Sequence, residues 1–258
     1  MTAGGDGDGV DGMDRWDRHW RRFAESARVN PAQAFRRRLI LHLLGGEAAE
    51  PGAAILDIGC GSGDLLAELA AHLPGAMFAG IDNSKTGLAQ VRRKLPRAQL
   101  LQWDMTSAAE APEPLRQWAG HAVCSEVLEH LDDPAGVLAN ARAFIKPGGR
   151  LVITVPGGPM SAFDRHIGHR RHYTKALLGQ VLLAAGFETA KVAAAGWPMF
   201  NLYRLAVLLR GGRLIEDAAG APGPLARTAM GLFRHLMRLT LADTPWGWQI
   251  VAVARKKN

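Results

Sequence analysis

The stretch that decides the fold reads Ala53-Ala-Ile-Leu-Asp-Ile-Gly-Cys-Gly-Ser-Gly-Asp-Leu-Leu66. It passes from a short apolar run through a glycine-rich turn into a sequence rich in alanine and leucine, the pattern of a strand, a tight turn and a helix. Gly59, Gly61 and Gly63 remove side chains where the backbone must turn sharply and where a ligand approaches it closely. The stretch therefore predicts a strand–turn–helix unit with a ligand site at the turn.

The residues of this turn favour S-adenosylmethionine over a dinucleotide as the ligand. The glycine spacing is G-x-G-x-G instead of G-x-G-x-x-G, and the stretch contains no P-loop lysine. Asp57 lies at the end of the strand, where a carboxylate would repel a pyrophosphate but can orient the ammonium group of a methionine moiety, directly or through water. The turn thus indicates a ligand with a positively charged end.

Two later strands also end in an acidic residue. The run Met77–Asp82 ends in Asp82 roughly twenty residues after the glycine turn, where a carboxylate is expected to accept hydrogen bonds from ribose hydroxyls. The run Gln99–Asp104 ends in Asp104, which could meet the adenine amino group. A generic strand–helix unit with acids facing solvent would explain any one of these motifs. Acids at three successive strand ends favour the cofactor site.

Over residues 51–196 this pattern resembles the class I S-adenosylmethionine-dependent methyltransferases. The resemblance implies a Rossmann-like, mostly parallel sheet of seven strands with helices on both faces, and it implies S-adenosyl-L-methionine as the cofactor. The residues that it implies for cofactor binding are Asp57, Gly59, Gly61, Asp82, Asn83, Asp104, Met105 and Ser125.

The rest of the chain agrees with one α/β domain that carries additions. Apolar runs that alternate with helical patterns over residues 51–258 predict a mostly parallel sheet covered on both faces. Aromatic residues and leucines at helical spacing predict an N-terminal helical cap over residues 14–50, which would lie over the cofactor or pack against the sheet. Residues 1–13, rich in glycine and aspartate, predict a disordered leader. A helical insertion over residues 198–245 is predicted before the last strand.

The composition of the chain limits the expected cellular location and the expected partners. The chain has 258 residues, a formal net charge of +7 and two cysteines, Cys60 and Cys124. So few cysteines argue against a disulfide framework and for a reducing, cytoplasmic location. No apolar run of about eighteen residues predicts a membrane-spanning helix. The positive charge permits an anionic partner, but charge alone does not identify one.

The second amphipathic stretch of the insertion, residues 225–241, is basic. It places four basic side chains among apolar ones, and these are Arg227, Arg234, His235 and Arg238. Such a helix can make a peripheral contact with a membrane surface, close a substrate pocket or form the contact of a homodimer. The sequence leaves these three roles open.

The end of the fourth predicted strand carries residues suited to chemistry. The sequence there, Cys124-Ser-Glu-Val-Leu-Glu-His-Leu131, contains an E-x-x-E-H cluster at the carboxyl edge of the sheet, where open α/β folds place their sites. Two carboxylates and an imidazole are suitable ligands for a divalent cation. The loop Asp164-Arg-His-Ile-Gly-His-Arg-Arg-His-Tyr-Thr174 supplies further histidines as candidates for a missing ligand.

The full E-x-x-E-H pattern resembles two metal-dependent groups of this superfamily. They are the ubiquinone-biosynthesis O-methyltransferases and the small-RNA 3′-end 2′-O-methyltransferases. The small-RNA group has an additional histidine shortly before a helix that starts with an aromatic residue and a threonine. His169, five residues before Thr174, matches this position. The metal ligands that the resemblance implies are Glu126, Glu129, His130 and His169, with His166 and His172 around the metal or as the base. In a metal-free alternative, His130 or His169 acts as the base, or the histidines bind an anionic substrate.

These features predict O-methylation of a hydroxyl on a small molecule such as a sugar, glycolipid, phenol or polyketide. A bound Mg²⁺ would lower the pKa of one or two acceptor oxygens and fix their geometry, and a histidine would accept the proton. One alternative is 2′-O-methylation of RNA, although the sequence contains no appended RNA-binding module and nucleic acid is therefore not the expected partner. Another is a non-catalytic cofactor-binding protein that docks to a membrane or a partner.

Overall fold

The computed structural model describes residues 16–18, 30–211 and 223–257. It contains a seven-stranded sheet made of β1 (Ala54–Ile58), β2 (Met77–Asp82), β3 (Gln99–Gln102), β4 (Ala119–Ser125), β5 (Ile145–Pro156), β6 (Phe187–Ala195) and β7 (Gln249–Lys256). Their order across the sheet is β3-β2-β1-β4-β5-β7-β6. β7 is antiparallel to β5 and β6, and the other neighbouring pairs are parallel. The predicted Rossmann-like sheet is confirmed.

The helices are α1 (Pro31–Leu44), α2 (Asp64–His72), α3 (Lys85–Lys94), α4 (Pro134–Ala141), α5 (Ala162–His166), α6 (Lys175–Ala184), α7 (Met199–Arg210) and α8 (Pro224–Leu236). β1 is buried at all five positions, as expected of a parallel strand covered on both faces. On one face Leu138 of α4 and Leu182 of α6 join the largest apolar cluster. On the other face Ile40 of α1 and Leu69 of α2 pack against the sheet.

The part of the N-terminal cap that the structure describes is mostly helix α1. Asn30 accepts a hydrogen bond from the backbone N–H of Ala32 at 2.8 Å, and Pro31 takes the first helical position. This combination favours a helix start at that point. Residues 16–18 are also helical. The predicted leader over residues 1–13 and most of the helix predicted before α1 lie outside the described residues, so the domain boundaries stay a prediction.

Helices α7 and α8 lie between β6 and β7, within the predicted insertion, and pack beside α1. The rings of Phe35 and Phe200 lie 5.3 Å apart between α1 and α7, and those of Tyr203 and Phe233 lie 5.5 Å apart between α7 and α8. None of the described side chains of α8 is buried, so this helix contacts the protein along one side only. Residues 212–222, which join the two helices, lie outside the described residues.

The second amphipathic stretch is shorter as an α-helix than its predicted range of 225–241. α8 ends at Leu236, and a 3-10 turn at Met237–Leu239 follows. The backbone carbonyl of Met237 accepts a hydrogen bond from Arg38 Nη2 at 2.8 Å, and Met237 itself is buried against α1 and α7. These contacts with the body of the protein end the regular helix.

Cys60 and Cys124 are free thiols in the core. Burial raises the pKa of both, and nearby carboxylates raise it further, so neither thiol is an activated nucleophile. Among the described residues, no helix has both the length and the apolar character needed to cross a bilayer.

Candidate active site

A cavity of about 650 Å³ opens at the carboxyl edge of the sheet, beneath α1, α7 and α8. The register pairs Ile58 of β1 with Cys124 of β4, so the turns that follow these two strands lie side by side. The polar end of the cavity is lined by Asp57, Gly59, Ser125, Glu126, Glu129, His130 and His169. Its apolar cover is lined by Phe163, Ile167, Tyr203, Val207, Met230 and Phe233.

The glycine turn has a conformation that other residues rarely adopt. Gly59, Gly61 and Gly63 have φ angles of 72°, 49° and 75°, all in the left-handed region. A Cβ atom on Gly59 would lie 2.5 Å from Cγ2 of Val127, too close for a side chain to fit. The positive φ angle and the close contact with Val127 both require glycine at position 59, between β1 and the E-x-x-E-H segment.

Asp57 faces the cavity from the end of β1 and is buried. Burial raises the pKa of this carboxyl, and the charge of Asp82 raises it further. A cationic ligand at the polar end would offset both effects, because an opposite charge favours the ionised form. Asp57 lines the cavity, and its contact with the methionine ammonium group stays a prediction.

Asp82 orders the backbone of two turns. Its Oδ2 accepts a hydrogen bond from the N–H of Gly61 at 2.8 Å, and its Oδ1 accepts one from the N–H of Ser84 at 2.8 Å. A carboxylate has about four lone-pair sites, so acceptor capacity remains for ribose hydroxyls. Asp17 lies close by, where its Oδ1 accepts from the hydroxyl of Ser84 and, at 3.0 Å, from the N–H of Thr86.

The other predicted cofactor residues lie along the same edge of the sheet. Asp104 Oδ1 accepts from the backbone N–H and the hydroxyl of Thr106, at 2.9 Å and 2.7 Å. Met105 is buried, and its carbonyl accepts from Asn140 at 2.8 Å. Those that do not line the cavity are Gly61, Asp82, Asn83, Asp104 and Met105. The predicted site therefore divides into a methionine end within the cavity and a nucleoside end beside it.

Glu126 does not join the other predicted metal ligands. Its Oε1 accepts hydrogen bonds from Gln249 at 2.9 Å and from Thr154 at 3.2 Å, and its Oε2 pairs with Arg36 at 2.8 Å. Arg36 also donates to Gln249 Oε1 at 2.8 Å. Three neighbours from α1, β5 and β7 thus occupy this carboxylate, and spacing in the sequence contains no signal for the contacts with Arg36 and Gln249.

Glu129, His130 and His169 come together as one group. Their candidate ligand atoms all lie within 4.8 Å of one another, and Nε2 of His169 is 3.9 Å from Oε1 of Glu129. Glu129 is fully buried and neither of its oxygens has a hydrogen bond. Burial raises its pKa well above the ordinary value, and the charge of Glu126 adds to this. A buried carboxylate without a partner is costly, and its donor set with two imidazoles fits a divalent metal.

Hydrogen bonds fix which nitrogen of His169 faces Glu129 unprotonated. The carbonyl oxygen of Gly158 can only accept, and it lies 2.9 Å from Nδ1 of His172, which therefore carries a hydrogen. With the ring neutral, we assign Nε2 of His172 as the acceptor from Nδ1 of His169 at 3.3 Å; the same Nε2 lies 3.6 Å from Oδ2 of Asp164. His169 is left with its lone pair on Nε2, towards Glu129.

Burial lowers the pKa of both histidines. The pKa of His169 falls to about 2, with the neighbouring charge of His130 contributing after burial, and the pKa of His172 is also lowered. Burial thus favours the neutral form of both rings, which is the condition on which the hydrogen-bond assignment depends. Neutral imidazole is the form that binds metals.

Asp164 lies next to this histidine chain and anchors the loop that contains it. Arg204 of α7 donates to its two oxygens at 3.1 Å and 2.6 Å. Burial raises the pKa of Asp164, but the hydrogen bonds and charge of Arg204 outweigh it, and the net pKa lies below the ordinary value. Asp164 also forms a capping box with Ser161 at the start of α5. The spacing Ser161-x-x-Asp164 is the sequence signal that would have predicted this short helix.

His166 is not placed where the prediction requires it. α5 directs Phe163, Asp164 and Ile167 towards the cavity, and His166 lies on another face of the helix, exposed. An exposed side chain outside the cavity lining cannot reach the polar end, so the predicted role of His166 as base or metal neighbour is not supported. Trp16, in contrast, lines the cavity, and its ring packs edge-on against His130 at 4.8 Å.

Comparison with known proteins gives this site a context. The model of a family described as "Methyltransferase domain" matches residues 31–192. A ubiquinone biosynthesis O-methyltransferase from Aeromonas salmonicida is 31% identical over 171 residues, which cover 60% of this chain and 71% of that protein. An uncharacterized 37.1 kDa protein in transposon TN4556 of Streptomyces fradiae is 32% identical over 177 residues, which cover 60% of this chain but only 48% of that protein.

A solved structure shares the fold at lower identity. The geranyl diphosphate C-methyltransferase from Streptomyces coelicolor, in complex with Mg²⁺, geranyl diphosphate and S-adenosyl-L-homocysteine, has a TM-score of 0.56 and 15% identity. The similarity covers 86% of this chain and 78% of that one. At this identity it supports the fold alone.

Proposed function

Because this chain belongs to the methyltransferase-domain family, as a class I S-adenosylmethionine-dependent methyltransferase, we propose that it transfers the methyl group to a hydroxyl oxygen of a small molecule with the help of a divalent metal. The observation that carries the proposal is the fully buried carboxylate of Glu129, which has no hydrogen bond and faces two imidazoles at the polar end of the cavity.

The metal ligands that we propose are Glu129, His130 and His169. Each can offer one ligand atom to a common centre, and the lone pair on Nε2 of His169 faces that centre. Glu126, which the sequence also suggested, has its carboxylate engaged by Arg36, Thr154 and Gln249. We assign Glu126 the role of holding the polar end of the cavity in shape. A divalent ion, when bound, would lower the pKa of an acceptor hydroxyl.

The protein's own residues would position the two reactants. Asp57 and the glycine turn would hold the methionine end of the cofactor, and Asp82 would accept from the ribose. The acceptor would place its oxygen near Glu129 and the rest of its structure under the apolar cover. Water would be excluded by the same cover, because side chains such as Val207, Met230 and Phe233 line it. In this arrangement the protein would contribute to catalysis mainly by holding the methyl donor and the acceptor oxygen close together and correctly oriented.

An acceptor with an oxygen-bearing end and an apolar body fits this cavity best. The described lining residues of α8 are all apolar, and α5 and α7 add Phe163, Tyr203 and Val207. Charged side chains also line the cavity, from α1 (Arg36, Arg37), α5 (Asp164) and α7 (Arg204, Arg210). A phenol or a polyketide matches this division better than a sugar, which would need polar partners along its whole length. The name of the O-methyltransferase from Aeromonas salmonicida supports oxygen as the acceptor atom.

Methylation of RNA gains no comparable support. Three arginines that line the cavity already pair with carboxylates: Arg36 with Glu126, Arg37 with Glu68 and Arg204 with Asp164. A phosphate backbone would have to displace these partners. The proposed contacts of the insertion with a membrane through residues 225–241, or with a second copy of the chain, concern its outer surface and leave the cavity assignment unchanged.

The test compares Glu129→Gln and His169→Asn with His166→Asn as the matched control. Metal-stripped protein is titrated with Mn²⁺ by calorimetry, and S-adenosylhomocysteine production is measured on a panel of catechols and sugars with and without chelator. We expect both site variants to lose metal binding and most activity, while the exposed control keeps both. Activity that survives chelation, or Mn²⁺ binding that survives Glu129→Gln, would contradict the proposed metal site.

A further inference from the structure

The outer surface of the helical insertion is unusually apolar. Ten large apolar side chains are exposed among the described residues, and eight of them lie between residues 197 and 246. These eight are Trp197, Leu202, Leu205, Leu209, Leu232, Leu239, Leu241 and Trp246. Single exposed leucines are ordinary on a protein surface, but a concentration in one region indicates an interaction site.

Helix α7 carries apolar side chains on its outer face as well as on its inner face. Leu202, Leu205 and Leu209 follow a spacing of three and four residues, so they share one face, and that face is exposed, with Leu209 80% accessible. The opposite, buried face contains Phe200 and Val207 together with Asn201 and Arg204. A helix that only packs against its own protein turns apolar side chains inward. The outer face of α7 is therefore suited to a partner outside the chain.

Three further exposed apolar residues, Trp197, Leu241 and Trp246, lie together near the start of α7. The rings of Trp197 and Trp246 lie 5.9 Å apart. The backbone N–H of Leu241 donates to the carbonyl of Trp197 at 2.8 Å, and Asn201 donates to the carbonyl of Trp246 at 2.7 Å. We use the name Trp–Leu face for the surface made of Trp197, Leu202, Leu205, Leu209, Leu241 and Trp246.

Basic side chains lie beside the Trp–Leu face. α8 packs next to α7 through Phe233 and Tyr203, and Arg227, Arg234 and Arg238 in and just after α8 are exposed. The described residues in the range 197–242 include no aspartate or glutamate. Asp243, which follows, pairs with Lys191 at 2.7 Å. Among the described residues from 197 to 242, exposed tryptophans and leucines are thus combined with basic side chains and no acidic ones.

We propose that the Trp–Leu face docks on an anionic phospholipid surface, with its tryptophans and leucines among the headgroups and upper acyl chains and the arginines of α8 against the phosphates. Tryptophan favours this interface, and arginine can keep its charge in the polar layer while its stem covers apolar surface. Anionic lipids add an electrostatic attraction for basic residues near the membrane surface.

A second copy of the chain is a less suitable occupant. In a two-fold dimer the same patch faces itself, so the arginines beside the Trp–Leu face would approach those of the partner, and the described residues from 197 to 242 offer no carboxylate to pair with them. An anionic lipid surface satisfies the apolar and the charged parts together. The inference concerns the outside of the insertion and goes beyond the proposed function, since it does not depend on which acceptor the cavity takes.

The experiment measures flotation of the full chain with vesicles of phosphatidylcholine, with or without phosphatidylglycerol. The double variant Leu205→Asp/Leu209→Asp removes the outer face of α7, and Leu183→Asp, at an exposed leucine of α6, is the matched control. We expect binding that requires phosphatidylglycerol, a loss of at least about tenfold in the double variant, which is about 1.4 kcal/mol, and no change in the control.

A second variant tests the charges without altering the leucines. Arg227→Gln/Arg234→Gln/Arg238→Gln changes three exposed side chains, and we expect it to weaken binding and to abolish the preference for phosphatidylglycerol. Binding of S-adenosylhomocysteine, measured by calorimetry, reports that each variant is folded. Three results would overturn the proposal. The first is a wild-type protein that does not bind the anionic vesicles, and the second is a control variant that loses as much vesicle binding as the double variant. The third is a wild-type protein that binds no vesicles but is a dimer by light scattering, and that Leu205→Asp/Leu209→Asp converts to a monomer.

Discussion

At the scale of single residues, the assignment of protons along the histidine chain has the clearest consequences. His172 accepts a hydrogen from Nδ1 of His169 because the carbonyl of Gly158 already takes the hydrogen on its other nitrogen. His172 is therefore a positioning residue, which acts on the metal site through His169. Partners of this kind fix the tautomer and the orientation of a metal-binding ring.

We expect His172→Ala to weaken Mn²⁺ binding by about 10- to 100-fold, the usual effect of losing such a partner. His172→Gln should restore part of the affinity, because the amide oxygen can accept from Nδ1 of His169. Titration calorimetry measures the affinity, and the ¹⁵N chemical shifts of His169 report its tautomer even without metal. Equal affinity and unchanged shifts in His172→Ala would show that His172 has no positioning role.

At the scale of secondary-structure elements, one buried ion pair connects α5 and its histidine loop to α7. Asp164 and Arg204 are almost fully buried, with side chains only 3% and 10% exposed. Removing one partner leaves the other charged in the interior, which is more costly than replacing both. The position of α7 over the cavity, and hence of its apolar cover, depends on this contact.

Arg204→Met should lower the free energy of unfolding by about 3 kcal/mol or more, and Asp164→Asn combined with Arg204→Met should lower it less. Lys191→Met is the control, since its pair with Asp243 is about half exposed and such surface pairs contribute little. Denaturant unfolding followed by circular dichroism measures the three differences. If Arg204→Met is no more destabilising than the control, the pair does not hold α5 and α7 together.

At the scale of the whole molecule, we expect the glycine turn to couple cofactor binding to stability. A ligand that binds the folded state alone, at about 100 times its Kd, should raise the free energy of unfolding by about 2.7 kcal/mol. Since the predicted cofactor site spans the ends of β1, β2 and β3, this gain should appear as a single shift in Tm of the cooperative unit.

Two glycine variants distinguish the effect of a positive φ angle on cofactor binding from the effect of close packing against Val127. Gly59→Ala places a Cβ 2.5 Å from Val127, whereas Gly52→Ala meets nothing within 4 Å, although both glycines have positive φ angles of 72° and 82°. We expect S-adenosylhomocysteine to raise the Tm of wild type and Gly52→Ala, and to raise it little in Gly59→Ala. Thermal unfolding with and without the ligand measures this. An equal ligand-induced shift in Gly59→Ala would place the cofactor away from the turn.

The sequence by itself determined the local features of this protein. The alternation of apolar runs with helical patterns predicts the sheet, and Asp57, Gly59 and Asp82 predict the edge at which the cofactor binds, because strand ends and tight turns depend on residues that are near in the chain. The E-x-x-E-H segment brings Glu129 and His130 together for the same reason. His169 was found through a family pattern and not through local physics.

The tertiary structure alone decided which of the candidate groups share a centre and which are already engaged. Glu126 meets Arg36 and Gln249, and Asp164 meets Arg204, through contacts between residues far apart in sequence. Such contacts depend on how helices and strands pack, and spacing along the chain does not encode them. The same reason explains why His166 lies on the outside of the protein while His169, three residues later, lines the cavity. It also explains why leucines of α7 face outward.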